Sequence, residues 1–226
     1  MISDSPIEFN STAISEENTV LDIGTKDGKK LTGCTGTVIG IDIDSSRFAE
    51  DTETKLVLGD GRQLPFRTNV FDYVYCSAVI EHVDSTRTLI HEAARVLKRS
   101  GVAYFDFPNR ISLLQPHNGI PRYYSLLPKS VGRKMAPYLL TEEKTEYYKR
   151  RLFPLTPITA RRHLHANFEK VEYTMQISGE LVSERPQIRW MFRSANRIIE
   201  KPPFRWPFEV LWPDASYRCE NPKQRN

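Results

Sequence analysis

The chain has 226 residues, 39% of them hydrophobic and 27% charged, which suits a single soluble globular domain over residues 1–226. No apolar run approaches the ~18 residues of a membrane span, and the N-terminus lacks the basic start and apolar stretch of a secretory signal, so we expect neither feature. The net charge of +4 combines −6 over residues 1–109 with +10 over residues 110–226, so an acidic first half precedes a basic second half.

Short β-branched and aromatic runs recur along the first half. Their near-continuous apolar character is typical of strands that are buried on both faces of a parallel sheet. Strand–helix alternation implies right-handed crossovers and therefore an α/β, doubly wound sheet. The predicted strands are 19–23, 37–43, 54–60, 71–77 and 101–108.

The clearest helix follows the fourth predicted strand. Asp84 or Ser85 can cap its N-terminus, and apolar residues recur on one face at helical spacing. Lys98 and Arg99 are expected to close its last turn before Gly101.

The second half of the chain is less regular. Residues 115–128 are loop-like, and residues 141–152 predict an exposed helix. One more helix and one more strand are predicted within residues 156–177. Residues 215–220 are predicted to form a closing edge strand.

Glycines and carboxylates follow three successive predicted strands. Gly24 and Gly28 follow the first strand, where their missing side chains let a ligand approach the backbone. Asp42 ends the second strand, about 20 residues after the glycine loop opens, where a carboxylate can bind a ribose diol. Asp60 ends the third, where it can accept a hydrogen bond from an adenine amino group. The loop has neither the G-x-x-x-x-G-K-[ST] nor the G-x-G-x-x-G spacing, so an adenosine ligand without a pyrophosphate is indicated.

Five linked motifs over residues 18–109 resemble the class I S-adenosylmethionine-dependent methyltransferases, close to the type 11 small-molecule group. "VLDIGTKDG" is similar to that family's VLDIGCGTG loop, and "GDGRQLPF" to its G-D-x-x-x-L-P-F segment. "VIGIDID", "FDYVYCSAVIEHV" and "ARVLKRSGVAYFDFPN" are similar to its second, fourth and fifth strand motifs. The resemblance implies a Rossmann-like, mostly parallel seven-stranded sheet. Helical insertions after strand 5 (110–155) and before the last strand (181–213) would cover the substrate or form a lid.

The resemblance also implies cofactor contacts by position. Asp22 with the two loop glycines would surround the methionine part of S-adenosylmethionine, Asp42 would hold the ribose, and Ser77 would lie beside the sulfonium. The implied cofactor-binding residues are Asp22, Gly24, Thr25, Lys26, Gly28, Asp42, Ile43, Asp60, Gly61, Arg62 and Ser77.

Lys26 stands where the family has its middle glycine. If that position takes a positive φ, lysine costs about 1–2 kcal/mol there unless the loop is rearranged. We expect the Lys26 ammonium to pair with the cofactor's carboxylate. The segment from Gly28 to Val38 is also short, so its helix must be stunted.

Methyl transfer from a sulfonium mainly requires alignment and exclusion of water, and an oxygen nucleophile also gains from a general base. His82, just past the fourth strand, is either that base or a residue that only orders its loop. In some quinone O-methyltransferases an E-H pair and an earlier glutamate bind a divalent metal, but the earlier position resembles Ala78 here, so no metal is expected.

A second catalytic candidate follows the fifth strand. His117, with Arg122 and Tyr123, either lines a substrate-binding pocket for the acceptor or belongs to a proline-punctuated packing loop.

These features predict an enzyme that methylates an oxygen of a small acceptor, a sugar or carboxylate on a nucleotide- or lipid-linked anionic carrier. One alternative is a lipid or quinone methyltransferase at the membrane surface, because residues 188–213 interleave basic and aromatic side chains. The other is a cofactor-binding scaffold without catalysis. Nucleic acid is not expected as a partner, since no recognisable RNA-binding module is present. The chain has three cysteines without metal-ligand spacing, which indicates reduced thiols and therefore a cytoplasmic protein. The alternative of a membrane-surface enzyme adds peripheral contact with the inner face of the membrane.

Overall fold

The computed structural model describes residues 14–109, 127, 129–150, 155–174 and 214–223. Within these ranges seven strands form one sheet with α-helices beside it. The strands are β1 Thr19–Ile23, β2 Thr37–Asp42, β3 Lys55–Leu58, β4 Phe71–Ser77, β5 Leu97–Pro108, β6 Phe168–Tyr173 and β7 Asp214–Pro222. The α-helices are α1 Thr86–Val96, α2 Lys129–Leu139, α3 Glu142–Arg150 and α4 Pro157–Asn167, and a short 3-10 helix covers Ser45–Arg47.

The strand order is β3-β2-β1-β4-β5-β7-β6, which confirms the predicted seven-stranded, mostly parallel, doubly wound sheet. Strands β1 to β5 pair in parallel, and β7 is antiparallel to both of its neighbours. The chain proceeds outward from β1 in one direction and from β4 in the other. Ligands of such sheets bind beyond the carboxyl ends of the strands at this switch point.

The predicted position of the last strand is wrong. Residues 215–220 lie inside the sheet, between β5 and β6, and not at its edge. Polar residues at every second position suggest an exposed face, but in β7 they are paired: the Ser216 hydroxyl donates to Asp106 Oδ1 at 2.7 Å, and Arg218 forms an ion pair with Glu172. The opposite face of β7 places Tyr217 in the core.

The N-terminal cap of α1 confirms one of the two predicted capping residues. The Ser85 hydroxyl accepts a hydrogen bond from the Thr88 N–H. The predicted C-terminal end is wrong, because Leu97 is already extended and Lys98 lies in β5. Lys98 Nζ lies 2.8 Å from Asp72 Oδ1, so a cross-strand ion pair replaces the expected last turn.

Regular strand–helix alternation is not what the first half forms. Turns occupy residues 24–36 between β1 and β2, and the connection from β2 to β3 contains only the 3-10 helix. The predicted stunted helix is thus reduced to turns, in which Gly24, Gly28 and Gly33 have positive φ angles that a helix cannot accommodate. Of the four connections that join β1 to β5, α1 alone is an α-helix.

The two faces of the sheet are buried differently. Helices α1 and α4 contribute Leu89, Ala93 and Leu164 to a large apolar cluster on one face. The other face has a smaller cluster that includes Val20 and Tyr75. Because residues i and i+2 of a strand share a face, this second face also receives three polar groups at its carboxyl end: Asp22, Ser77 and Asp106.

Helices α2 and α3 lie within the predicted insertion after strand 5, so its described part is helical. The second predicted insertion, 181–213, lies outside the described residues. His117, Arg122 and Tyr123 lie outside them too, and their assignment to an acceptor pocket stays a prediction.

Candidate active site

A cleft of about 740 Å³ opens at the carboxyl ends of β1, β2 and β4. Small-molecule sites in proteins have volumes of roughly 300–1,000 Å³. Apolar side chains such as Ile23, Ile41 and Leu89 form part of its wall. The predicted site residues that line it are Gly24, Lys26, Asp42, Ile43, Asp60, Gly61, Arg62 and His82.

The loop after β1 brings its backbone close to the cleft at Gly24. This residue has a φ of 75°, and a Cβ built on it would lie 2.2 Å from Val79 Cγ2. The N–H groups of Gly24 and Thr25 both donate to the Ile41 carbonyl, at 2.8 and 3.2 Å. Only glycine fits the first of these positions, and the bonds to β2 hold the loop at the end of the sheet.

Lys26 adopts a left-handed backbone conformation, which glycine accommodates more easily than any other residue. Its φ is 56°, in the left-handed region, which costs a residue with a Cβ about 1–2 kcal/mol. The Lys26 N–H donates to Asp42 Oδ2 at 3.0 Å, and this bond helps to hold the strained conformation. The side chain is exposed and lines the cleft; its pairing with a cofactor carboxylate stays a prediction.

Asp42 ends β2 with its carboxylate fixed by two backbone amides. Besides the bond from Lys26, Oδ1 accepts the Asp44 N–H at 3.0 Å. A carboxylate oxygen has more than one lone pair, so each oxygen can accept a further hydrogen bond from a ligand in the cleft. The next residue, Ile43, is 70% exposed and presents an apolar surface to the same cleft.

Asp60 and Arg62 form a rigid pair on the far wall. Arg62 Nη2 lies 2.6 Å from Asp60 Oδ2, and its Nε is 3.0 Å from both carboxylate oxygens. The guanidinium also contacts Asp84. Arg62 lowers the pKa of Asp60, mainly through these side-chain hydrogen bonds, so the carboxylate stays ionised beside the cleft.

Four predicted cofactor residues do not line the cleft. Thr25 is buried with its side chain against Gly40, where a Cβ would lie 2.6 Å from Thr25 Oγ1. Gly28 packs on β3 and its carbonyl accepts the hydroxyls of Thr52 and Thr54. These two residues shape the loop, and the others, Asp22 and Ser77, lie on the buried side of the site.

Two buried carboxyl groups and a half-buried one lie next to this site. Asp22 and Glu81 are 1% and 2% exposed. Asp22 Oδ1 and both Glu81 side-chain oxygens accept no hydrogen bond from the described residues. Asp106 is held by the hydroxyls of Ser77, at 3.1 Å, and Ser216. Burial raises the pKa of all three groups, that of Glu81 to about 8.

Two polar residues beside the candidate site are absent from the sequence-based prediction of site residues. Glu81 lines the cleft, and its Oε1 lies 3.6 Å from His82 Nε2. Lys30 extends from the loop after β1, and its Nζ donates to the Ser77 carbonyl at 3.0 Å. Glu81 could have been found from the sequence, because it is a single acidic residue in the mostly apolar run "AVIEHV". Lys30 could not, because nothing in "GKK" indicates which of Lys29 and Lys30 is directed toward the site.

Neither a metal cluster nor a membrane-crossing helix is found in the described ranges. No three His, Cys, Asp or Glu side chains there are grouped so as to hold a metal ion. None of the helices there is both long and apolar enough to cross a bilayer.

Part of this chain is similar to known methyltransferases. Residues 21–105 match the model of a methyltransferase domain. An uncharacterized protein from Methanocaldococcus jannaschii is 32% identical over 113 residues, which are 49% of this chain and 53% of that protein. A ubiquinone biosynthesis O-methyltransferase from Hydrogenovibrio crunogenus is 33% identical over 117 residues, 46% of this chain and 48% of the relative. The chain thus spans about half the length of these curated relatives.

The fold is shared with solved methyltransferases. An S-adenosylmethionine-dependent methyltransferase from Thermotoga maritima superposes with a TM-score of 0.57 at 16% identity, over 96% of this chain and 88% of the other. The chain thus has the fold of solved S-adenosylmethionine-dependent methyltransferases, and its residues 21–105 match a methyltransferase domain.

Proposed function

We propose that this chain transfers the methyl group of S-adenosylmethionine to an oxygen atom of a small acceptor. The observation that carries the proposal is the cleft, where Gly24, Asp42 and Asp60 come together at the switch point of a methyltransferase domain. These are the three positions at which the sequence predicts a cofactor loop, a ribose contact and an adenine contact. Strands β1, β2 and β3 each supply one of them from their carboxyl ends.

The residues of the cleft fit this cofactor. Gly24 has no side chain and packs closely against Val79, so the loop presents its backbone to the cleft at this residue. Asp42 retains acceptor capacity for the ribose hydroxyls, and the exposed Ile43 offers an apolar contact for the adenine ring. Asp22 Oδ1 and both Glu81 side-chain oxygens are buried and accept no hydrogen bond from the described residues, which favours a ligand with positive charge.

The cofactor, when bound, supplies an activated methyl group on a sulfonium. The chain itself must align the acceptor and exclude water, and where the acceptor is a hydroxyl rather than a carboxylate it must also accept the hydroxyl proton. We assign the last role to His82, whose imidazole lines the cleft and lies 3.6 Å from Glu81 Oε1. Burial raises the pKa of Glu81 to about 8, so above that pH its carboxylate would stabilise the imidazolium that forms when His82 takes the proton.

The favoured acceptor is a sugar or carboxylate on an anionic carrier, linked through a nucleotide or a lipid. The support is the charge of +10 over residues 110–226, which attracts a phosphate-bearing molecule to the half of the chain that follows the cofactor core.

A quinone or lipid acceptor at a membrane surface is the second candidate. One support is that the Hydrogenovibrio relative is a ubiquinone biosynthesis O-methyltransferase. The other is α2, which exposes four large apolar side chains and also carries basic residues. The exposed apolar side chains of α2 are Val131, Met135, Tyr138 and Leu139. A helix with exposed apolar and basic side chains can lie on an anionic membrane.

The test is formation of S-adenosylhomocysteine from S-adenosylmethionine with a panel of acceptors, followed by mass spectrometry of the products. Methylation of a nucleotide-linked sugar or sugar acid, lost in His82→Gln, supports the first candidate. Methylation of a quinol instead supports the second, and then Tyr138→Ser should reduce sedimentation with anionic vesicles. Ile158→Ser is the matched control, because Ile158 is 59% exposed on another helix. Cofactor binding without turnover of any acceptor would indicate a scaffold.

A further inference from the structure

Lys30 places an ammonium group among the buried carboxyl groups of the cofactor site. Its Nζ lies 3.0 Å from the Ser77 carbonyl oxygen and 5.5 Å from the centroid of the Tyr75 ring. The Ser77 hydroxyl in turn contacts Asp106. The ammonium is therefore held at the carboxyl end of β4 by a backbone carbonyl and the face of an aromatic ring, both of which suit a cation.

The charge of Lys30 acts on all three carboxyl groups beside the site. Burial raises the pKa values of Asp22, Glu81 and Asp106, and the positive charge of Lys30 opposes the rise in each case. Asp22 Oδ1 and both side-chain oxygens of Glu81 accept no hydrogen bond from the described residues, so they remain available to a cation. A buried carboxylate without a partner is costly, so this cluster favours a further or an alternative cation.

The proposed cofactor carries two cationic groups, a sulfonium and an ammonium, whereas its demethylated product carries only the ammonium. Like charges repel strongly where the surroundings are poorly solvated. A cationic group of the cofactor bound beside β4 would therefore compete with Lys30 for the same carboxyl groups and for the Ser77 carbonyl.

We propose that Lys30 is a resident cation of the cofactor subsite, which a cationic group of S-adenosylmethionine displaces from the Ser77 carbonyl on binding. The inference rests on the proposed function and adds to it the residue that sets cofactor affinity. It also predicts a direction of selectivity, because Lys30 opposes the doubly cationic S-adenosylmethionine more than S-adenosylhomocysteine.

The neighbouring Lys29 provides a matched control. It belongs to the same turn but points outward, where its Nζ lies 2.7 Å from Asp51 Oδ1 at the exposed surface. Lys29→Met removes the same charge from the chain without touching the buried carboxyl groups.

Calorimetric titration of wild type, Lys30→Met and Lys29→Met with both ligands tests the proposal. We expect Lys30→Met to bind S-adenosylmethionine about tenfold more tightly than wild type, with a smaller gain for S-adenosylhomocysteine. Lys29→Met should match wild type. Lys30→Gln, which keeps a polar side chain, replaces Lys30→Met if the latter does not fold.

A second measurement follows the displacement itself. Reductive methylation of lysines, followed by mass spectrometry, should label Lys30 more slowly than Lys29 in the free protein. Addition of S-adenosylmethionine should accelerate labelling of Lys30 and leave Lys29 unchanged.

Equal or weaker binding by Lys30→Met, or unchanged labelling, would overturn the inference while leaving the proposed function intact if wild type binds. Failure of all three folded proteins to bind either ligand would overturn the proposed function and the inference with it. Binding by Lys30→Met alone would support both.

Discussion

Glu81 and His82 are adjacent in sequence and face each other across 3.6 Å, from Glu81 Oε1 to His82 Nε2. Glu81 is almost completely buried, whereas the side chain of His82 is 35% exposed toward the cleft. The pair thus joins an acid removed from water to a base that a ligand can reach. The protonation of the buried Glu81 can therefore be measured without knowing the acceptor.

Replacement of Glu81 by glutamine should change how stability depends on pH. Burial, with a contribution from Asp106, raises the pKa of Glu81 to about 8, against the opposing charges of Lys30 and Lys26. The folded protein therefore retains a proton that the unfolded chain releases near the ordinary glutamate pKa of about 4.3. The stability that Glu81 contributes is present below that value and is lost as the pH rises toward 8.

The measurement is urea unfolding of wild type and Glu81→Gln from pH 5 to 9. The stability of the variant relative to wild type should rise through this range and level off above pH 8. Glu169→Gln, at an exposed position of β6, should show no such trend. Parallel curves for wild type and Glu81→Gln would contradict the buried, proton-holding carboxyl group.

Lys26 should be replaceable by glycine with a gain in stability. Its φ of 56° is strained for any residue with a Cβ, and glycine removes that strain, so the free energy of unfolding should rise by about 1 kcal/mol. Lys26→Ala keeps the Cβ and removes the rest of the side chain with its ammonium, so the backbone strain remains and this variant should not be stabilised in the same way. Thermal unfolding of the two variants separates backbone strain from charge; equal stabilities would show that the strain is not significant.

Substitution of Gly24 and Gly33 by alanine should separate the cost of backbone strain from the cost of a steric clash with Val79. Both have positive φ angles, but a Cβ on Gly24 would meet Val79 Cγ2 at 2.2 Å, whereas a Cβ on Gly33 would have nothing within 4 Å. Gly33→Ala should cost about 1–2 kcal/mol through its backbone alone. Gly24→Ala should cost more and also weaken cofactor binding. Chemical denaturation and ligand titration measure the two effects, and similar losses at both positions would argue against the close packing of the loop on Val79.

The strands of the first half could be predicted well because their sequences carry the signal locally. β1 and β4 begin and end at the predicted residues, since each is an apolar run bounded by polar or glycine residues. The Ser85 cap was predictable for the same reason. The number of strands and their mostly parallel arrangement came from the family resemblance, which did not give the place of the last strand in the sheet.

Features that depend on packing across the sheet could not be predicted in this way. Residues 215–220 have a polar alternation that is typical of an edge, and only the contacts of Ser216 and Arg218 with other strands show why they lie inside. Lys30 and Lys29 are equivalent in sequence, and the direction of each side chain is decided by Ser77 and Asp51. Glu81 likewise acquires its raised pKa from burial, which the sequence "EHV" does not reveal.

Binding of S-adenosylmethionine in the cleft through Asp42 can be measured by calorimetric titration of wild type beside Asp42→Asn. The variant keeps the shape and one acceptor oxygen but loses the charge, so a charge-assisted hydrogen bond worth roughly 1.5–3 kcal/mol should be lost and affinity should fall about 10- to 100-fold. Asp51→Asn, at the exposed surface, is the control and should bind like wild type. Absence of binding by the wild-type protein, or equal binding by Asp42→Asn, would contradict the account.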